Sequence, residues 1–363
     1  MTTRPSSVGD MSPVPRRLAA LAALAAAAAH AAVSNVSNIE PRRDGSGAII
    51  DAHDGDVVFD AASQRWLYFA AGYGECIEPP GLNGCADWCN DCGCGFFYNH
   101  SVNVFSTTDF VAWTAHGNVL PLGAPRPNAT LFSPKAIFNN RTQLWVLWYN
   151  LSPPYNYAVA TSPSPFGPFV TVNTTVALST QWGHYYNNSN VGDFALFVDD
   201  DGAAYIHYSA NAHAQIERLT DDYLASTWAT TGATSGTLPH GNEAPAMFKR
   251  RGLYYALVSD SCCYCGGGGT VRAFVAQSPL GPYTYTGSIT DGANPFNPSH
   301  VTTASQQTVA FAVGDQIVWV GDRWQSAPDR LKAHDFTSWF VLDFDANGTV
   351  LPIAWRDSVL INV

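Results

Sequence analysis

The segment GDFALFVDDDGAAYIHYS (residues 192–209) contains a short apolar strand that ends in Phe197, a polar turn, and a second strand rich in aromatic and aliphatic residues. Strands of this composition, separated by turns that contain Asp and Gly, are typical of β-hairpins. Four further segments align with it, each with a polar start and a first strand that ends in Phe: DGDVVFDAASQRWLYFAA (54–71), SPKAIFNNRTQLWVLWYN (133–150), EAPAMFKRRGLYYALVS (243–259) and QQTVAFAVGDQIVWVGD (306–322). The chain therefore repeats one hairpin unit five times.

The spacing of the repeats predicts the architecture. The terminal phenylalanines of the first strands lie roughly 50 to 80 residues apart, a spacing that suits small antiparallel sheets repeated around an axis. A third strand-like piece follows three of the hairpins: VNVFSTTDFVAWT (102–114), YAVATSPSPFGPF (157–169) and VRAFVAQSPLGPYT (271–284). We predict an all-β fold, a five-bladed β-propeller over residues 47–363 with a cysteine-rich loop insertion in the first blade. An irregular β-sandwich is the alternative.

The composition excludes one class of partner. Only 13% of the 363 residues are charged, about half the usual share, and the formal net charge is −11. The chain has three lysines and no basic run. Because nucleic acids are bound through clustered Lys and Arg, we expect no nucleic-acid partner. Hydrophobic residues make up 46% of the chain, which is enough for a sizeable core.

The N-terminal residues 1–31 have the pattern of a secretory signal peptide. Arg16 and Arg17 precede an apolar run, and Ala29-His30-Ala31 is a small-residue cleavage signal. We expect residues 32–46 to be a linker and the mature protein to be a secreted monomer without membrane attachment; an uncleaved anchor is the alternative. Eight N-x-S/T sequons suit a secreted glycoprotein: Asn35, Asn99, Asn128, Asn140, Asn150, Asn173, Asn187 and Asn347.

The cysteines form two clusters, one of five and one of three: Cys76, Cys85, Cys89, Cys92 and Cys94, then Cys262, Cys263 and Cys265. Two C-x-x-C spacings would allow zinc, but an oxidising compartment favours disulfides. Both clusters are odd in number, so complete pairing requires at least one disulfide between them. Such a bridge would place the first-blade insertion and a fourth-blade loop on the same side of the propeller.

The polar starts of the five segments are the candidate functional residues. The inner strands of a propeller run side by side around the axis, so their first residues converge on one opening. Counting back from each phenylalanine gives Asp54, Ser133, Gly192, Glu243 and Gln306, with Asp193 next to Gly192. Two or three carboxylates from different blades would then face one cavity. Pairs of carboxyl groups with different pKa values are the apparatus of glycoside hydrolysis.

Several stretches together resemble glycoside hydrolase family 43, in the correct order from about residue 47 to residue 355: SPKAIFNN, GDFALFVDDDGAAYIHYS, NEAPAMFKRRGLYYALVS and VWVGDRW among them. AHDG, GDRW and residues 305–308 are most similar to its exo-β-1,3-galactanase branch. The resemblance implies a five-bladed propeller that hydrolyses galactan, arabinogalactan or related plant- or algal-type polysaccharides with inversion. It also implies that Glu243 is the general acid and that Asp193 tunes its pKa.

The chain carries two candidates for the general base. Asp54 has the spacing of the family's basic Asp before the first inner strand, whereas Gln306 matches a Gln thought to serve in the galactanase branch. A carboxylate accepts a proton directly and a neutral amide is a very weak base. We therefore favour Asp54 as the base, with Gln306 orienting the water or the sugar. Asp51 and Asp56 are expected to cap the turn by accepting hydrogen bonds from nearby backbone amides.

Four residues are candidates for substrate contact. Lys135 and Arg323 are placed to meet sugar hydroxyls or a carboxylate, Trp324 to stack on a sugar face, and His53 to reach the axis. We expect no cofactor, with a structural calcium on the propeller axis as an open alternative. A secreted propeller that binds poly- or oligosaccharides without cleaving them is the alternative function, because binding needs neither an acid nor a base.

Overall fold

Five antiparallel sheets arranged as the blades of a β-propeller dominate the computed structural model. The residues that the structure describes are 32–78, 100–123, 126–152, 156–179, 191–210, 213–239, 243–260, 264–295 and 297–363. In chain order the strands are β1 (Val33–Ser37), β2 (Arg43–Asp44), β3 (His53–Asp60), β4 (Arg65–Gly72), β5 (Ser101–Thr107), β6 (Ala112–Asn118), β7 (Thr130–Asn139), β8 (Leu144–Ser152), β9 (Asn156–Ser162), β10 (Val170–Val176), β11 (Val191–Val198), β12 (Ala204–Ala210), β13 (His213–Arg218), β14 (Glu243–Arg250), β15 (Leu253–Ser259), β16 (Val271–Ala276), β17 (Thr284–Ser288), β18 (Gln306–Val313), β19 (Gln316–Arg323), β20 (Phe336–Val341) and β21 (Ser358–Asn362).

The blades follow one another along the chain. Blade 1 has the order β2-β6-β5-β4-β3, blade 2 β10-β9-β8-β7, blade 3 β11-β12-β13, blade 4 β14-β15-β16-β17 and blade 5 β18-β19-β20. The innermost strands β3, β7, β11, β14 and β18 contact one another in sequence, and β18 contacts β3, so the ring closes. The prediction of an all-β, five-bladed propeller is confirmed. The three segments with a third strand-like piece are the three blades with at least four strands.

Residues expected to form a linker contribute to the propeller instead. β1 pairs antiparallel with β21, and β2 pairs parallel with β6 of blade 1. The Asn38 side chain donates to the carbonyl of Trp339 in blade 5 at 2.9 Å. The first and last described strands therefore pair near blade 5, and part of the stretch 32–46 is strand.

The core lies between the faces of neighbouring blades. Separate apolar clusters fill the interfaces of blades 1 and 2, blades 2 and 3, and blades 3 and 4. A larger cluster joins blades 4, 5 and 1 with β1 and β21. Burial of large aromatic side chains, Trp148, Trp319 and Trp339 among them, supplies much of the hydrophobic stabilisation.

A register shift occurs near the start of each inner strand. It lies between His53 and Asp56 in β3, between Phe132 and Lys135 in β7, and at matching places in β11, β14 and β18. Such bulges re-aim side chains beside binding sites. In β3 a Cβ on Gly55 would lie 2.2 Å from the Phe69 carbonyl oxygen, so only glycine fits there.

We call the end of the ring at which the inner strands begin the mouth, and the opposite end, marked by Phe59, Phe138, Phe197, Phe248 and Phe311, the far end. These five phenylalanines line one cavity of about 710 Å³.

Most of the cysteine-rich insertion and the sequons Asn99 and Asn187 lie outside the described residues, as do residues 1–31. The described helical elements are an α-helix, α1 (Trp228–Thr231), and a 3₁₀ helix (Lys332–His334). Neither these nor any other described helix has the length and apolar character needed to cross a membrane.

Candidate active site

Four residues predicted for catalysis lie at the mouth, on four different blades. Asp54 belongs to β3 of blade 1, Asp193 to β11 of blade 3, Glu243 begins β14 of blade 4, and Gln306 begins β18 of blade 5. The three carboxyl residues are half-buried, and Gln306 is buried. Convergence of the inner strands thus brings together side chains that are up to 252 positions apart in the chain.

Asp193 connects blade 3 to blades 4 and 5. Its carboxylate accepts a hydrogen bond from the backbone N–H of Ala244, the residue that follows Glu243. The Gln306 side-chain N–H₂ donates to Asp193 Oδ2 at 3.5 Å. Burial raises the pKa of Asp193 to about 6, although the Lys135 ammonium and the Ala244 N–H favour the charged form. The Asp193 carboxyl therefore lies beside the candidate acid and titrates near neutrality.

Asp54 is fixed by hydrogen bonds to two other blades. Its Oδ2 accepts from the Ser133 backbone N–H at 2.7 Å, and its own N–H donates to Asp322 Oδ2 at 2.7 Å. The residue has a φ of 52°, a left-handed conformation that is uncommon for a non-glycine residue. Burial and the nearby Asp193 charge hold the pKa of Asp54 well above its ordinary value, and Lys135 opposes the rise. These properties suit a group that takes a proton near neutral pH.

Lys135 lies on the axis between the mouth and the far end. It is 1% exposed, and its ammonium donates to the carbonyls of Gly55 in blade 1 and Thr308 in blade 5, the latter at 3.1 Å. Its charge favours the ionised forms of Asp54 and Asp193. Its predicted contact with substrate stays a prediction, and the described contacts place its ammonium against backbone carbonyls.

The orientation of Gln306 is set by Trp324. The indole N–H of Trp324 donates to Gln306 Oε1 at 2.7 Å, which directs the amide nitrogen toward Asp193. Trp324 is 3% exposed and packs edge-on against Tyr73 and Tyr264. In this arrangement Trp324 holds the Gln306 amide through its indole N–H. Stacking of the indole on a sugar remains a prediction.

Of the two other predicted contact residues, His53 is buried and Arg323 is half-buried. His53 is fully buried, and its Nδ1 lies 3.3 Å from Asp322 Oδ1. Burial acts to lower the pKa of His53, but the carboxylates of Asp322, Asp51 and Asp335 together outweigh it and the pKa is raised. Arg323 donates to the carbonyl of Asn38 at 2.7 Å, and burial lowers its pKa. Arg323 and Trp324 line a cavity of about 320 Å³.

Comparison with known proteins identifies the family of the chain. The family model described as Glycosyl hydrolases family 43 matches residues 93–308. The chain belongs to glycosyl hydrolase family 43. It is therefore an O-glycosyl hydrolase by family, as the resemblance implied.

Curated relatives of this family 43 enzyme act on different sugars. The β-D-galactofuranosidase xynD of Aspergillus niger is 25% identical over 267 residues, which are 69% of this chain and 74% of that protein. An arabinoxylan arabinofuranohydrolase of Paenibacillus polymyxa is 25% identical over 224 residues, 51% of this chain and 33% of that protein.

Similar solved structures have the same fold. A family 43 β-1,3-galactosidase with galactodeoxynojirimycin superposes with a TM-score of 0.69 at 24% identity, covering 89% of this chain and 99% of that chain. An exo-β-1,3-galactanase from Clostridium thermocellum has a TM-score of 0.70 at 22% identity, covering 90% and 67%.

Sequence reasoning missed a buried group of charges behind the site of this family 43 enzyme. Lys332 and Glu78 form an ion pair of 2.7 Å at 3% and 6% side-chain exposure, and the Lys332 ammonium lies 4.2 Å from the Trp324 ring. The Asp335 carboxylate accepts hydrogen bonds from the N–H groups of three residues, Gln325, Ser326 and Ala327. Asp322 was present in the GDRW motif, but nothing in the local pattern marked it as different from a turn residue.

Two expectations about the first segment need correction. Asp51 accepts from the backbone N–H groups of Tyr73 and Gly74, so it fixes the end of β4 rather than its own turn. The Asp56 carboxylate accepts from the N–H of Val57 and from that of Ala136 in blade 2. Asp56 is 5% exposed, so it belongs to the axis and not to a solvated turn.

A cation of the protein itself occupies one position on the axis of the described structure. Among the described residues no group of three or more His, Cys, Asp or Glu side chains is arranged to hold a metal. The position between the Gly55 and Thr308 carbonyls is taken by the Lys135 ammonium, a fixed cation. A Ca²⁺ ion needs six to eight oxygen ligands, so it does not fit at this position.

Proposed function

We propose that this family 43 enzyme cleaves O-glycosidic bonds in galactan, arabinogalactan or related plant- or algal-type polysaccharides, with inversion at the anomeric carbon. The observation that carries the proposal is the convergence at the mouth of Asp54, Asp193 and Glu243 from three blades, with raised pKa values for both aspartates. The β-1,3-galactosidase and galactanase names of similar structures support galactose as the sugar.

Glu243 and Asp54 divide the proton transfers of the reaction. Glu243 donates its proton to the glycosidic oxygen as the bond from that oxygen to the anomeric carbon breaks. A water molecule attacks the same carbon from the opposite face and forms the new C–O bond, and its proton passes to the Asp54 carboxylate. The raised pKa of Asp54 makes it a stronger base than an exposed aspartate.

Asp193 keeps the acid protonated. A negative charge beside a carboxyl group disfavours its ionisation, and Asp193 is bonded to the backbone N–H next to Glu243. Since the pKa of Asp193 is about 6, the charge that acts on Glu243 is present above that pH.

The hydrogen bonds of Gln306 support Asp54 as the base. Gln306 Oε1 already accepts the indole N–H of Trp324, and its nitrogen donates to Asp193. An amide held in this way fixes a neighbouring carboxylate and has no proton affinity to offer at neutral pH. Gln306 therefore orients the Asp193 carboxylate or the sugar.

Replacement of Glu243 by glutamine tests the function. On β-1,3-galactan oligosaccharides the variant should lose activity by ~10²–10⁴-fold, whereas an aryl β-galactoside with an activated leaving group should suffer less, because it needs less protonation. NMR of the first product formed should show the inverted anomer. A parent protein that binds these oligosaccharides without hydrolysing any of them would favour the glycan-binding alternative and overturn the proposal.

We further propose that residues 1–31 are a signal peptide and that the mature protein is a secreted, glycosylated, disulfide-bonded monomer. Exposed Asn35, Asn128, Asn140 and Asn347 support glycosylation. Asn150 is excluded as an acceptor in the folded protein because it is fully buried, and its side chain donates to Gly192.

The disulfide part of this proposal rests on the ends of the two cysteine clusters. Cys76, the first cysteine of one cluster, is 6% exposed, and Cys265 is the last cysteine of the other. The hydroxyl groups of Tyr73 and Tyr264, close in sequence to these cysteines, are 2.9 Å apart. This proximity supports a bridge between the clusters, and peptide mapping without reduction would identify it.

A further inference from the structure

The Asp322 carboxylate connects the last blade to the first at the candidate base. It is fully buried at the end of β19. Oδ2 accepts the backbone N–H of Asp54 at 2.7 Å, and Oδ1 lies 3.3 Å from Nδ1 of His53. Asp322 thus contacts two consecutive residues of β3 at the point where the strand bulges and φ of Asp54 becomes 52°.

This contact holds a backbone conformation that the chain would otherwise avoid. A left-handed φ at a non-glycine residue is costly and persists only where the surroundings enforce it. The Asp322–Asp54 bond enforces it from blade 5, and the bond from the Ser133 N–H to the Asp54 carboxylate fixes the side chain from blade 2. Hydrogen bonds from both neighbouring blades therefore fix the orientation of the Asp54 carboxylate.

We propose that Asp322 is a positioning residue for the base: it fixes the turn that aims the Asp54 carboxylate into the mouth and supplies a negative charge that strengthens this base. The proposal rests on the proposed role of Asp54. Asp322 itself is separated from the mouth by the Asp54 backbone and is not assigned a contact with substrate.

The electrostatic part of the proposal has a definite sign. The charge of Asp322 favours the protonated forms of Asp54 and Asp193, so it raises the proton affinity of the base. Its removal should lower the pKa of both carboxyl groups. The charged and titratable groups that face Asp54 from the surrounding elements are Asp193, Lys135, Asp322, Tyr68, Tyr73 and Tyr264.

The test compares Asp322→Asn with Asp322→Ala. Asparagine keeps an oxygen for the Asp54 N–H but loses the charge, so most of kcat should remain while the acid limb of the kcat/KM–pH profile moves to lower pH. Alanine also loses the acceptor, and kcat should fall by about 10²-fold, the size of effect expected when a reacting group is misplaced. Asp335→Asn is the matched control: it alters a buried blade 5 carboxylate that also accepts backbone N–H groups but does not bond Asp54, and its acid limb should stay in place.

Each outcome is decisive when Asp54→Asn is measured in the same series. If Asp54→Asn is inactive and the Asp322→Asn profile coincides with that of the parent, the charge part of the proposal is overturned; if Asp322→Ala keeps the kcat of the parent, the positioning part is overturned. The base assignment stands in both cases. If Asp54→Asn retains activity, the base assignment fails and the positioning proposal falls with it. Should Asp322→Ala not fold, the pH profile of Asp322→Asn still decides whether the charge of Asp322 acts on Asp54. A profile that shifts equally in Asp335→Asn would also contradict a specific action on Asp54.

Discussion

The two ends of the inner strands reverse the usual rule that apolar side chains are buried and polar side chains are exposed. In β3 the imidazole of His53, at the mouth, is fully buried, whereas Phe59, at the far end, is 45% exposed. The mouth concentrates carboxyl groups with raised pKa values, and the far end is an apolar cavity formed by one phenylalanine from each blade. The same five strands therefore present titratable carboxyl groups at one end of the axis and packed phenylalanines at the other.

The difference shows which groups compensate the desolvation free energy of the carboxylates in a functional site. Desolvated carboxylates destabilise a fold unless cations and hydrogen-bond donors compensate them. At the mouth the compensation comes from backbone N–H groups of the next blade and from Lys135. At the far end the Arg141–Asp221 pair stays in water, at 70% and 56% side-chain exposure, whereas the Asp199 side chain is 8% exposed and is paired with Lys249.

The largest expected effect distinguishes the two ends of β3. Asp54→Asn should reduce kcat/KM on galactan oligosaccharides by ~10²–10⁴-fold, because an amide cannot accept the proton of the attacking water. Asp60→Asn is the matched control, since Asp60 ends the same strand and, among the described residues, accepts hydrogen bonds from its own turn at Ala62 and Ser63. Activity per folded molecule should be unchanged there. Full activity of Asp54→Asn, with loss in Gln306→Leu, would assign the base to the fifth blade.

The repeated pattern made much of this comparison predictable. Five phenylalanines at regular places predicted both the number of blades and one side of the ring, and counting back from them located Asp54, Glu243 and Gln306. These features are local: they depend on strand period and turn composition, which single sequences carry.

The connections behind the site were not predictable in the same way. The bond from Asp322 to Asp54 spans 268 positions, and the pair of Lys332 and Glu78 spans 254. Such contacts depend on how the ring closes, and no local periodicity encodes them. The surroundings of Trp324 were not predictable for the same reason: they are built by loops from blades 1 and 4.

The second effect compares a buried ion pair at the mouth with an exposed pair at the far end. Lys332→Met should lower the free energy of unfolding by about 3–5 kcal/mol, because it leaves the buried Glu78 carboxylate without its cation. Arg141→Met should change it by less than about 0.5 kcal/mol, as expected for solvent-exposed pairs. Chemical denaturation at pH 7 measures both. Equal losses in the two variants would show that burial does not distinguish the pairs.

The smallest effect is the pH dependence of stability that comes from Asp56, the aspartate between the two ends. Burial raises the pKa of Asp56 to about 6 in the folded protein from its ordinary value of 3.8. Between these values the folded state binds a proton that the unfolded state has lost, so this group lowers stability as the pH rises from about 4 to about 6. Asp56→Asn removes that loss. Relative to the parent, the variant should gain about 1–3 kcal/mol between pH 4 and pH 7.

An aspartate at the far end supplies a control with the opposite sign. Backbone hydrogen bonds, that of Thr349 first, lower the pKa of Asp345 in its exposed turn, so Asp345 adds stability above its unfolded pKa and loses it as the pH falls. Relative to the parent, Asp345→Asn should therefore be less stable at pH 7 than at low pH, whereas Asp56→Asn should be more stable. Denaturation curves of the three proteins across pH 4 to 7 would reveal the two trends. Parallel curves for Asp56→Asn and its parent would mean that the Asp56 carboxyl is hydrated enough to ionise freely. The contrast between the desolvated Asp56 and the solvated Asp345 would then fail.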